Sequence, residues 1–334
     1  MAVTGSSQSS TLPRHPARER LAGSIDVHTH VGIDPGFYQR GWWPYASTAQ
    51  DLLTHMDAAG IERAVCFPFT LPSAFDIEAF RRDGRIELLP GRVPFDRENL
   101  LLAGEVERIG QGRMMQFAMF DPEREVAAQI RLIEPLLPRI AGLKTQSTVL
   151  QSRVINLLNG GRELMHFAEQ HGLPVLFHTS IHRADAWAQA ADCLAVAAAF
   201  PNVRFNLAHS LRFHLPSLKR AAELSNVWVD CSAHLNHCRL ACDESPVVAR
   251  KQERVDVDYT RPDQVLRVIH ELLGGKYMWG SDNPYMSWCA NNLKLVFSYR
   301  EEADVLHALP ETVKKEMAVT APRAWLGHAI EEKR

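Results

Sequence analysis

The chain has 334 residues, 46% hydrophobic and 23% charged, close to the averages of folded soluble domains, which excludes disorder, collagen and coiled coil. Lys and Arg total 37 against 39 Asp and Glu, so the formal charge is −2, with no basic excess for nucleic acid and no polybasic patch for an anionic membrane. No apolar run reaches the roughly 18 residues of a membrane span, Met1 to Glu19 lack the apolar stretch of a secretory signal, and six scattered cysteines read as free thiols of a reducing cytosol.

Residues 1–20, rich in Ser, Arg and Pro, read as a flexible tail, and residues 21–334 as one domain without linker or repeat. Short apolar runs then alternate with helical patterns, the signature of βαβ units. The first run, Ile25–His30, precedes a helix expected over Thr48–Ala59, with Thr48 as N-cap and Gly60 as stop. Ile61–Phe67 and Arg113–Phe120 follow, with helical character over Asp76–Arg82 and Asp96–Ile109 between them. The amphipathic Glu123–Ile133 leads to Ile140–Gln146, and Arg162–His171 leads to Leu173–His178. The Ala-rich Ala184–Phe200 leads to Val203–His209, and Val227–Asp230 and Tyr277–Gly280 complete the set. Eight strands with interleaved helices is the count of a single (β/α)8 TIM barrel, here with long loops. A doubly wound dinucleotide fold would carry GxGxxG after its first strand, and none is present.

Function in such a barrel sits at the C-terminal ends of the strands, and the 15 histidines of the chain are to be weighed by that criterion. The first run ends Asp26-Val27-His28-Thr29-His30. Alternation puts His28 and His30 on one face, an arrangement that suits a divalent metal such as Zn2+ but equally two ordinary buried histidines. His178 ends the fifth run, and His209 ends the sixth with Phe205 and Leu207 expected on its face. Asp282 follows the eighth in Met278-Trp279-Gly280-Ser281-Asp282, and Lys144 lies in the fourth. Barrel geometry converges these ends on one site.

These residues carry a resemblance. Ile25-Asp26-Val27-His28-Thr29-His30, Leu176-Phe177-His178, Leu207-Ala208-His209 and Gly280-Ser281-Asp282-Asn283-Pro284 resemble the amidohydrolase superfamily, in particular its amidohydrolase-related branch of metal-dependent TIM barrels. The likeness runs from about Ser24 to about Gly327. It implies one divalent metal, Zn2+ first and Mn2+ or Fe2+ as alternatives, held by His28, His30, His178 and Asp282. His209 is then an unligated acid/base or the ligand of a second metal. A second metal bridged by a carbamylated Lys144 is the less favoured arrangement; Lys144 is otherwise a cation that supports the metal ligands from behind or binds substrate.

The chemistry expected is hydrolysis of an amide, lactone or related C–N or C–O bond of a small organic substrate by metal-activated water. Asp282 would take the water proton and pass it to the leaving group, and His209, near its titration midpoint, would act as that shuttle or polarise the substrate carbonyl. The alternative is non-oxidative decarboxylation of an aromatic or unsaturated carboxylate, with Lys144 and Arg212 as cations for the leaving group. Trp42, in Trp42-Trp43-Pro44-Tyr45 after the first strand, is a candidate wall for a planar substrate, and Tyr285 follows Asp282. Cys231, Cys238 and Cys242 match no zinc spacing, and His234 among them is the remaining site candidate. The expected partner is a small molecule, with neither nucleic acid nor membrane, in a cytoplasmic protein for which exposed loop aromatics make a homodimer plausible.

Overall fold

A computed structural model describes residues 18–287 and 296–327; most of the expected N-terminal tail lies outside them. Eight parallel strands form the barrel in sequence order: β1 (Leu21–His30), β2 (Ile61–Phe67), β3 (Met114–Met119), β4 (Ile140–Thr145), β5 (Val175–Phe177), β6 (Phe205–Leu207), β7 (Val227–Asp230) and β8 (Tyr277–Met278). Two apolar layers hold it together. Ile25, Val27, Val65, Phe67, Phe117 and Met278 fill the interior, and Trp325 joins them. The Trp325 carbonyl accepts from Arg204, just before β6, so this indole plugs the N-terminal end of the barrel. Alternate strand residues such as Ala64, Val175, Leu207 and Val229 face outwards into the layer packed against the helices.

The expected elements form for the reasons their sequences give. Thr48 caps the helix Ala49–Ala59 through a reciprocal pair with Asp51, and Gly60 ends it at φ +73°. Gly60 also needs its missing side chain, because a Cβ there would lie 2.4 Å from the Glu19 carbonyl oxygen. The helix expected over Ala184–Phe200 is shorter, Ala190–Ala199. The Asp185 carboxylate instead accepts from the amides of Trp187 and Ala188 and holds the preceding loop.

The barrel closes differently from its other seams. Between β8 and β1 there is one bridge, Thr29 to Asn283, with amide–carbonyl bonds from Val27 to Trp279, from Asp282 to His28 and from His30 to Asn283. Gly280 permits this approach, since a Cβ at that position would lie 2.9 Å from His28 Cβ. Buried Asp26 spans the seam: one carboxylate oxygen accepts from the amides of His28 and Ser281, and burial pushes its pKa up to about 7. After β1 a short antiparallel pair, Gly32–Ile33 with Ala46–Ser47, brackets the helix Pro35–Arg40 above the C-terminal rim.

Candidate metal centre and its cavity

β1 supplies the first two donors by a local irregularity. Its register against β2 shifts between Asp26 and Thr29. Ile25 and Val27 pack in the barrel interior, and after the shift His28 and His30 face the same interior, while Thr29 turns away to donate to the Val65 carbonyl. His28 Nδ1 donates to Asp230 Oδ2 at 3.1 Å and His30 Nδ1 donates to the Pro68 carbonyl at 3.0 Å. Those bonds fix both tautomers and leave the Nε2 lone pairs free. The lone pairs meet Asp282 Oδ1, 3.3 Å from His28 Nε2 and 3.6 Å from His30 Nε2. The three donor atoms lie within 4.8 Å of one another and all three residues are buried. Burial holds the His30 pKa down to about 4, keeping the ring neutral as a ligand must be. Two imidazole nitrogens, each steadied from behind, and a carboxylate oxygen fit a first-row divalent ion.

His178 and His209 stand beside this group in a hydrogen-bonded chain. Arg212 Nη2 donates to His178 Nε2 (3.1 Å), His178 Nδ1 to His209 Nε2 (3.0 Å), and His209 Nδ1 to the Ser232 carbonyl and hydroxyl oxygens. The His178 lone pair is thus directed at a guanidinium rather than at Asp282. Burial, reinforced by the charge of Arg212, holds both imidazoles well below their usual range. His209 is therefore neutral at pH 7, not near the midpoint expected of an exposed ring.

Strict alternation would send His209 to the outer face with Leu207. Five consecutive residues from His209 to Phe213, none a glycine, instead take left-handed backbone angles (φ +47° to +64°). That turn brings His209 and Arg212 to the cavity. Arg212 is buried, with Nε donating to the Thr179 carbonyl and Nη1 touching His237 Nε2.

Beneath the histidines lies Asp230, at the end of β7. Its carboxylate accepts from His28 Nδ1, Asn206 Nδ2, the Ser232 hydroxyl, and the amides of His209 and Ser232. Burial alone would raise its pKa; electrostatic attraction to the His28 ring and the hydrogen bonds from His28 and Ser232 overcome it and hold the group at about 2. The strand-end criterion that singled out His178 and Asp282 applies equally to Asp230, and sequence reasoning passed it over.

These residues floor a cavity of about 660 Å³ whose walls include Lys144, Trp42 and Tyr285, as expected, and also Phe37, Arg40, His237 and Arg239. Lys144 is fully buried, its Nζ has no hydrogen-bond acceptor among the described residues, and it sits 5.1 Å from the Phe67 ring centre. Burial lowers its pKa to about 7. Tyr285 packs edge-on against His30, with its hydroxyl donating to Asp34 at 2.7 Å. His234 is a correction. It lies one helical turn from His237 on the helix His234–Cys242, turns away from the cavity, and donates through Nε2 to the Pro262 carbonyl. The helical phase selects His237 instead. Cys231, Cys238 and Cys242 are free thiols.

Among the described residues no helix is long and apolar enough to cross a membrane. The family model described as amidohydrolase matches residues 25–328. No curated protein matches the chain. Solved structures share the fold at low identity. A zinc-bound amidohydrolase from Burkholderia multivorans is 14% identical over 91% of this chain and 99% of its own, with a TM-score of 0.59. A dihydroxybenzoic acid decarboxylase from Polaromonas with bound manganese and the inhibitor 2-nitroresorcinol is 13% identical over 91% and 96%, at 0.58. Dihydroorotase from Campylobacter jejuni is 13% identical over 90% and 82%, at 0.54.

Proposed function

The chain belongs to the amidohydrolase family, and from that premise we propose that it is a metal-dependent hydrolase of a small organic substrate, cutting an amide, lactone or related C–N or C–O bond. The observation that carries this reading is the convergence of His28 Nε2, His30 Nε2 and Asp282 Oδ1 at the floor of an open cavity. We assign these three as ligands of one divalent cation, Zn2+ first and Mn2+ or Fe2+ as alternatives. His178 is the fourth donor of the proposed set, which requires its Nε2 to exchange Arg212 for the ion. When bound, the cation supplies Lewis acidity that polarises an acyl oxygen and makes water a nucleophile near neutral pH.

The remaining work falls to side chains. Asp282 accepts the proton of the attacking water on its carboxylate and returns it to the leaving nitrogen or oxygen. Neutral His209 holds His178 in register and relays its orientation to Ser232 and Asp230. Lys144 and Arg212 attract an anionic substrate group, and Trp42 and Tyr285 flank its body.

A second reading, non-oxidative decarboxylation, is supported by the Lys144 amine, buried without an acceptor and available to a substrate carboxylate. Product analysis separates the two. With the zinc- or manganese-loaded protein and a panel of lactones, amides and aromatic carboxylates, the hydrolase reading expects a new acid paired with an amine or alcohol. Release of CO2 in its place would overturn it. Asp282→Asn is expected to lower turnover by at least about 100-fold with the fold intact by circular dichroism; substantial remaining activity would remove Asp282 from the reaction.

A further inference from the structure

We propose that Arg40 and Arg239 form a second anion-binding subsite at the mouth of the cavity, so that the substrate is a dianion: a flat conjugated body with one anionic group at the floor and another at the rim. The inference rests on the reading of this cavity as the substrate site and extends it to substrate class.

Among the described residues the cavity walls carry four basic side chains, Arg40, Lys144, Arg212 and Arg239, against one carboxylate, Asp282, in a chain whose formal charge is −2. Lys144 and Arg212 are buried at the floor, whereas Arg40 and Arg239 are exposed at the rim. They come from different loops. Arg40 ends the helix Pro35–Arg40 after β1, and Arg239 lies on the helix His234–Cys242 after β7. The two loops flank the one after β8 that carries Asp282 and Tyr285.

Neither rim arginine has a carboxylate partner among the described residues. Each is laid on aromatic rings instead, Arg40 at 4.8 Å from the Trp42 centre and 4.6 Å from Phe80, Arg239 at 5.8 Å from Phe297. A guanidinium held by its face keeps its in-plane N–H fork for a carboxylate or phosphate, and stacking limits the side-chain freedom lost on binding. A monoanion bound at the floor leaves both rim charges uncompensated; a second anionic group answers them. The cavity, about 660 Å³ in volume, has room for a ring or conjugated chain between the two ends, with Trp42 and Tyr285 along the way.

The test is binding by unreactive flat probes. Benzoate and isophthalate present the same ring with one carboxylate or two, and their affinities for the full-length, zinc-loaded protein are measured by calorimetry at fixed ionic strength. Isophthalate is expected to bind at least about tenfold tighter than benzoate. Arg40→Gln and Arg239→Gln should each remove part of that preference and together all of it, leaving benzoate affinity unchanged. Equal affinities in the unaltered protein, a preference that survives in the double variant, or no binding of isophthalate at millimolar concentration would overturn the subsite. Metal content and turnover measured on the same samples report separately on the hydrolase reading. Arginine-dependent isophthalate binding by a protein that hydrolyses none of the lactones and amides of the panel would leave the subsite standing and sink that reading alone.

Discussion

Lys144 brings a cation to the cavity floor at a cost that pH should expose. Its amine is fully buried without an acceptor among the described residues, and its pKa falls from 10.5 to about 7 because burial penalises the charged form. An unfolded chain keeps that proton up to about pH 10, so between pH 7 and 10 the unfolded state binds more protons and stability climbs with pH. Below pH 7 both states are protonated, the slope vanishes and the full penalty applies, on the order of 5 kcal/mol at about 1.4 kcal/mol per pKa unit. Lys144→Met should therefore be the more stable protein at pH 7, with the gap narrowing by pH 9, as read by urea unfolding of metal-stripped samples. Parallel stabilities across that range would mean that the amine is solvated. At this scale the sequence was informative wherever a side chain simply ended a strand. His28, His30 and Asp282 converge as expected, and Lys144, Arg212, Trp42 and Tyr285 line the cavity. His234 was misplaced and His237 missed because both lie on a helix whose start, and hence phase, an irregular loop sets.

Two elements reach the site by breaking their own periodicity. The register shift in β1 turns His28 and His30 inward after Ile25 and Val27. The turn His209–Phe213 costs more, since a left-handed angle at a residue with a side chain costs about 1–2 kcal/mol. Its surroundings enforce it. Ala249 and Val255 donate amides to the Arg212 and Phe213 carbonyls, Leu211 and Phe213 are fully buried, and Ser210 Oγ bonds to the Tyr277 hydroxyl at 2.7 Å. Ser210 separates backbone strain from packing. Ser210→Gly relieves about 1 kcal/mol of strain and loses one hydrogen bond of similar worth, so stability should stay within about 1 kcal/mol. Ser210→Val loses the bond and sets a β-branched side chain at φ +50°, and should cost about 2 kcal/mol or more. Equal losses in the two variants, measured by chemical denaturation, would mean that the turn stores no strain. Hydropathy period made strand and helix identity readable, but it carries no trace of a left-handed turn that contains no glycine.

At the scale of the whole molecule, strand order was readable because each apolar run pairs with the next in the chain, and the closure was not. Regular pairing of β8 ends at Met278, and the segment Trp279–Asn283 completes the ring through three amide–carbonyl bonds and the Asp26 carboxylate. The proposed ligands come from both sides of this seam, His28 and His30 from β1 and Asp282 from the closing segment. A cation bound there ties the first strand to the last, so its removal should weaken the barrel at one place. At metal concentrations about 1,000 times Kd, binding stabilises the folded state by about 4 kcal/mol, which for a chain of this size corresponds to a fall in Tm of about 5 °C on chelation. Hydrogen exchange should localise the effect. The amides of His30 and Asp282, which donate across the seam, should open faster in the stripped protein, while those in the β4–β5 and β5–β6 ladders keep their protection. A uniform loss of protection would make the ion a general stabiliser of the fold. An unchanged Tm with unchanged seam amides would mean that no cation bridges β1 and the segment after β8, and the three-donor assignment would fall with it.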